Sequence, residues 1–162
     1  MSFSASFRLR HVFGFTLVEI MVVVAIIGLV TALALPSLMK ARQRTNRTRL
    51  AEQLRVLRDA FEMYAAENSG AYPPDAGPGE VPAGMAPYLG TKVKIEAPTP
   101  IGGRWDWDLD YQPRIKACIS ISHPNATLEE MREIDAMIDD GDLATGTFRS
   151  PRESIFSAVV EE

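Results

Sequence analysis

Glu19 is the residue whose position asks most of its surroundings, because it immediately precedes a run, Ile20 to Met39, in which twenty positions carry no charged side chain. An ionised carboxylate at the leading end of an apolar helix is costly unless a cation or a proton compensates it, so the chemistry it offers is ion pairing in a medium of low polarity. Oxygen chemistry is concentrated a second time at Asp139, Asp140 and Asp142 around Gly141. Three carboxylates within four residues repel one another and suit a hard cation such as calcium; the competing reading is a plain helix stop and turn. Asp106, Asp108 and Asp110 alternate along one strand face and are read as solvated. Neither acidic cluster fits a twelve-residue EF-hand loop. Catalytic inventory is thin. Cys118 is the single cysteine and lies in a strand pattern, His123 precedes Pro124 at a strand end, and a structural role is expected for each. No glycine-rich phosphate loop, histidine-based zinc spacing or Gly-x-Ser-x-Gly elbow is present, so no enzyme is expected.

The elements that position these residues follow from periodicity. Twenty uncharged residues, at ~1.5 Å per residue, are long enough to cross a hydrocarbon core of ~30 Å as a helix. Pro36 lies near the far end of the run and is the expected kink. Beyond Met39 the helix is expected to continue to about Asn68, since Leu50, Leu54, Leu57, Phe61 and Tyr64 recur at 4, 3, 4, 3 spacing and fall on one stripe. Asn68-Ser69-Gly70 is the stop, with Gly70 in a left-handed cap and Pro73-Pro74 unable to continue. Residues 71 to 103 are expected to be an irregular, packed connector, with one helical turn at Met85, Tyr88 and Leu89.

From Arg104 to Tyr111 the sequence alternates, with Trp105, Trp107, Leu109 and Tyr111 on one face. After a turn near Gln112-Pro113, Ile115, Ala117, Ile119 and Ile121 alternate against Lys116, Cys118, Ser120 and Ser122, which predicts an antiparallel hairpin. Thr127-Leu128-Glu129-Glu130 reads as a capping box opening a short helix with Leu128, Met131, Ile134 and Ile138 inward and Asp139-Asp140-Gly141 ending it. Thr145 to Arg149 and Ser154 to Val160 are expected to add two strands. The fold class is α+β: one long N-terminal helix packed against a small antiparallel sheet of three or four strands.

Gly14, Phe15, Thr16, Leu17, Val18 and Glu19, followed by the apolar run and Pro36, resemble the processing site and first helix of type IV pilins and of the pseudopilins of type II secretion. Ala-Glu-Asn-Ser-Gly-Ala-Tyr-Pro at the helix exit is similar to pseudopilins as well. The resemblance implies a leader, 1–14, cut after Gly14 by a prepilin peptidase, and N-methylation of the new terminal Phe15. It further implies that residues 15–39 form a transmembrane helix that later packs in a filament core, with Phe15 and Glu19 serving assembly. Residues 40–162 would form a periplasmic head that includes the second half of the long helix. Implied partners are further copies of the chain and other pilin-like subunits in a helical filament, the processing peptidase and methyltransferase, and an inner-membrane assembly platform. Some pseudopilins hold calcium in a C-terminal loop, which bears on Asp139, Asp140 and Asp142; no other cofactor is implied.

Charge and composition limit the alternatives. The 162 residues have a formal charge of −4, and loss of the leader, with Arg8 and Arg10, leaves fifteen basic against twenty-one acidic side chains, a balance of −6. Such a chain is a poor general binder of nucleic acid. A single cysteine permits no internal disulfide, so the head must hold by packing. Charge counting on Lys40, Arg42, Arg44, Arg47 and Arg49 would put the C-terminal side in the cytoplasm, whereas the resemblance implies the opposite orientation. Lys40, Arg44, Arg47, Arg55 and Arg58 form a basic stripe beside the apolar one, read either as a solvated face or as a contact for lipid phosphates and acidic neighbours. The alternative to a filament subunit is a singly anchored periplasmic binding domain that never polymerises.

Overall fold

A computed structural model describes residues 14–91, 93–112 and 114–162. Leader residues 1–13 and Pro113 of the expected turn lie outside them. The chain divides into two compact units, Met1–Lys40 and Ala41–Glu162. Helix α1 (Leu17–Glu67) contributes to both.

In the first unit α1 begins at the Thr16 cap and runs unbroken through Pro36. Proline brings no N–H, so the carbonyl one turn earlier, at Ala32, has no helical donor there; Ser37 Oγ donates to the Ala34 carbonyl at 2.8 Å. Every described residue from Gly14 to Thr45 is exposed.

The second unit is built on the remainder of α1 and a four-stranded antiparallel sheet in the order β1-β2-β4-β3, with β1 Arg104–Gln112, β2 Ile115–Ser122, β3 Phe148–Arg152 and β4 Ile155–Glu161. Leu50, Leu54, Leu57 and Phe61 are buried as their spacing requires, Tyr64 packs at the margin, and Ala51, Ala60 and Ala65 bring the helix close. At the helix exit Gly70 has φ +82° and its N–H donates to the Ala65 carbonyl at 2.8 Å, the left-handed stop that the sequence signals. The connector is irregular, yet Met85, Val93 and Ile95 are buried in the core. It also seals the outer edge of β1: Ala76 and Gly79 donate to the carbonyls of Trp107 and Trp105, and Asp75 accepts from the Leu109 N–H. A covered edge does not recruit another strand.

Three expectations about the sheet are corrected. Tyr111 does not share the face of Trp105 and Trp107. Asp110 takes φ +54° and the β1–β2 register shifts between Leu109 and Gln112, which moves Tyr111 into a second cluster with Ile115, Cys118 and Val159. Ile115 is likewise packed there and not with Ile119 and Ile121. The face expected to be polar and open is closed at the middle of the sheet, where Cys118 and Ser120 are fully buried because β2 has strands on both sides. The third strand comes later than expected, at Phe148 and not Thr145, because residues 139–147 are held in turns by side chains of their own.

Helix α2 (Leu128–Ile138) opens on the expected capping box: Thr127 Oγ1 accepts from the Glu130 N–H at 3.2 Å, and the Glu130 carboxylate accepts from the Thr127 N–H at 2.9 Å. Met131 and Ile134 are fully buried and Ile138 partly so. Leu128, expected inward, is exposed, and the inward position one turn after Met131 is filled by Asp135.

Candidate functional site

In the first turn of α1 the acid acquires a partner from its own chain. Thr16 is the helix cap and Glu19 the third helical residue: the Thr16 N–H and Oγ1 donate to Glu19 Oε2 at 2.8 and 2.7 Å, and Thr16 Oγ1 accepts from the Glu19 N–H at 3.2 Å. This is a reciprocal capping box, satisfying two otherwise orphaned donors. The Thr-x-x-Glu spacing signals it, and reading Glu19 only as an unpaired acid missed it. Hydrogen bonds to a neutral hydroxyl and amide leave the charge of Glu19 unneutralised, so a cation would still find full attraction there. Phe15 is exposed next to it, and behind the pair follows an unbroken exposed apolar surface. Among the described residues α1 is the helix long and apolar enough to cross a membrane.

The second candidate site lies where α2 ends. Oxygens of Asp135, Asp139 and Asp140 can approach within 4.8 Å of one another. Asp135 is fully buried, and neither carboxylate oxygen reaches a partner at hydrogen-bond geometry among the described residues. Burial, and then the charges of Asp140, Asp139 and Asp142, push it up to about 6. Asp140 is held below its ordinary value, first by the Asp142 backbone N–H and then by the Thr145 hydroxyl. Asp139 accepts from the Thr147 N–H. Gly146, at φ +70°, carries the loop so close that a Cβ there would meet Asp139 Oδ2. Asp142 points elsewhere, accepting from the Ala144 N–H at 3.1 Å. Of the three acids singled out in the sequence, then, two converge, and the third member of the group is Asp135. The helical spacing Asp135 to Asp139 and the place of Asp135 on the inward stripe were the signals available.

The third acidic group is not a solvated face. Asp106 and Asp108 are half-buried against the centre of the sheet; only Asp110 is exposed. Ser120 donates to Asp108 at 2.5 Å and shares a hydrogen bond with Ser157 at 2.9 Å, and Ser122 donates to Asp106 at 3.2 Å. Burial, followed by the Asp108 charge, pushes Asp106 up to about 6. Cys118 is enclosed in the same network, and burial drives its thiol up to about 12, far from a reactive thiolate. His123 is exposed on a positive-φ residue after β2.

The basic stripe divides. Arg47 pairs with Glu130 and Glu133 of α2, Arg55 donates to the Met137 carbonyl, and Arg58 donates to the Val159 carbonyl, so these three fasten α1 to the rest of the head. Arg47 is thereby largely withdrawn from solvent and Arg58 partly so, whereas Arg55 stays exposed while it holds the Met137 carbonyl.

Residues 9–35 match the family model of the prokaryotic N-terminal methylation motif. Gly14 to Glu19, which chiefly carry the resemblance to the type IV pilins and type II secretion pseudopilins, lie inside this match; Pro36 and the helix-exit phrase at residues 66–73 lie outside it. Among individual relatives, the chain is 42% identical over 56 residues to the type II secretion system core protein G of Klebsiella pneumoniae, covering 35% of this chain and 40% of that protein. It is 38% identical over 61 residues to the type IV wide pilus major component of Thermus thermophilus, covering 38% and 47%. With the type IV major pilin protein PilA of Myxococcus xanthus the similarity extends further, 28% identity over 148 residues, covering 65% of this chain and 67% of that one. The chain thus spans less than half the length of the secretion-system relatives it matches. No solved structure matches.

Proposed function

We propose that the chain is a pilin-like filament subunit, synthesised as a membrane-held precursor, cut after Gly14, methylated at Phe15 and assembled through α1. The observation that carries this reading is Glu19 in the first turn of an exposed apolar helix, inside the matched motif. Cleavage would turn the amide of Phe15 into an amine that stays cationic near neutral pH even when methylated. A carboxylate one helical turn away, or on a neighbouring subunit, then neutralises it in an apolar core, where charge pairs attract more strongly although desolvation offsets much of the gain. Its partners would be further copies, other pilin-like subunits, the processing peptidase and an inner-membrane assembly platform, with the head in the periplasm before assembly. A singly anchored, non-polymerising domain could use the acid to cap its helix, but it has no use for the processing motif or for a charge left unneutralised at the head of an apolar run. Mass spectrometry of the membrane-extracted protein is the test: a chain beginning at N-methylated Phe15, and unprocessed chain for Gly14→Ala, are expected. A wild-type chain that retains its leader overturns the reading.

A second reading concerns the head: Asp135, Asp139 and Asp140 hold a divalent cation, calcium fitting an all-oxygen set best. The buried, unpartnered Asp135 carboxylate supports it, because an uncompensated buried charge is costly and a cation is the compensation that three acids accept together. In the full-length chain in detergent, calcium at a hundred times its Kd should stabilise the head by about 2.7 kcal/mol. Asp135→Asn should abolish that gain, and an unchanged melting temperature at millimolar calcium overturns the site.

A further inference from the structure

Three cations follow the apolar run at once: Lys40, Arg42 and Arg44 are exposed, and their side chains have no ion-pair partner among the described residues. The contrast is with Arg47, Arg55 and Arg58, each fastened to the head. From Ile20 to Ala51 there is no acidic residue, so none of the three has an acid three or four positions away in α1 to pair with. Their arrangement is also unlike a one-sided contact. At ~100° per residue, Arg44 lies ~40° from Lys40 around the helix and Arg42 ~200°, while all three fall within a rise of ~6 Å. A neighbouring protein covers one side of a helix; a headgroup layer surrounds it at one level. Long basic side chains at the end of a span reach into that layer while their stems stay on apolar surface.

We propose that Lys40, Arg42 and Arg44 form a collar that binds the phosphates of anionic phospholipids at the head-side end of the span. The proposal rests on the reading of α1 as membrane-held before assembly. It explains why positive charge accumulates on this side of the span, and it assigns those residues a ligand with the fixed, divided charge that guanidinium groups grip best.

The test uses the full-length chain reconstituted into bilayers that contain trace spin-labelled phosphatidylglycerol or phosphatidylcholine. The wild-type chain should immobilise the anionic probe about fivefold or more over the zwitterionic one, as expected from even one phosphate contact per chain. The triple variant Lys40→Gln, Arg42→Gln, Arg44→Gln should show no preference, and Arg42→Lys with Arg44→Lys should retain most of it. Equal immobilisation of both probes by the wild-type chain overturns the collar. So does a triple variant whose only change is a lost crosslink between copies, which would assign the cations to acidic neighbours. A chain that immobilises neither probe has not entered the bilayer, and that result overturns the membrane reading and the collar with it.

Discussion

Phe61 of α1 and Trp107 of β1 stack face to face, their ring centroids 3.7 Å apart and their planes 8° from parallel. Both are almost fully buried, and the Trp107 indole N–H donates to the Pro73 carbonyl at 3.1 Å, so one contact ties helix, strand and connector together. Phe61→Ala removes a large ring from a site whose neighbours cannot collapse without parting the helix from the sheet. A loss of ~3 to 5 kcal/mol is expected in denaturant melts. Met63, two positions on and half exposed, serves as the control, and Met63→Ala should change stability by less than about 0.5 kcal/mol.

The half-buried Asp106 gives the head a pH dependence of unusual sign. Burial and the neighbouring Asp108 charge push Asp106 up to about 6, above the ordinary value of 3.8, so the folded state holds the proton more tightly than the unfolded chain. Asp106 therefore costs no stability below about pH 4; its penalty grows as pH rises from about 4 to about 6 and levels off above that. Asp106→Asn keeps an oxygen that can accept from Ser122 and removes the charge. Discounted for the partial exposure of the group, a gain of ~1 kcal/mol is expected at pH 8, shrinking toward zero near pH 4. Melts of both proteins across that range check it; a difference that does not change with pH overturns it.

Gly103 sits at φ +77° at the entry to β1, where an added Cβ would lie 2.5 Å from the Ser122 carbonyl oxygen and 2.9 Å from the Pro124 nitrogen. Both obstacles are backbone, and neither can give way without opening the β1–β2 pairing. Gly103→Ala is expected to cost ~2 kcal/mol or more. Gly90→Ala, where an added Cβ meets nothing within 4 Å, should be nearly neutral.

How much of this was legible in the sequence depended on whether a local rule or a tertiary one decided the outcome. The α1 stripe, the Gly70 stop and the Thr127 capping box are each written within a few residues, and the structure has them there. The alternation rule failed at Tyr111, because one positive-φ residue, Asp110, reverses facing and no residue type announces it. Ser120 and Cys118 looked like an open face because small polar residues fit one; their burial follows from β2 lying between β1 and β4, which only the strand order reveals. Asp135 was passed over for the opposite reason. It occupies an apolar position in the helical stripe, and an acid at such a place is the mark of a site more than of a core.

The box formed by Thr16 and Glu19 permits two roles of the acid to be separated: starting α1, and presenting charge. Glutamine serves at the third helical position of a capping box as glutamate does, so Glu19→Gln should keep the Thr16 contacts and the helix start while removing the charge. Thr16→Ala does the reverse, removing the hydroxyl from the cap and loosening the first turn while the carboxylate keeps its charge and the bond from the backbone N–H of residue 16. In cells lacking the wild-type chain, Glu19→Gln is expected to insert in the membrane and to be processed, yet to enter sheared filaments at a small fraction of the wild-type level. Thr16→Ala is expected to enter them at no less than about a third of that level, since a cap is worth only ~1 kcal/mol and an amine can take the place of the lost hydroxyl at the carboxylate. If the two variants were equally impaired, the helix start would be the requirement, and the charge of Glu19 would have no separate part in assembly.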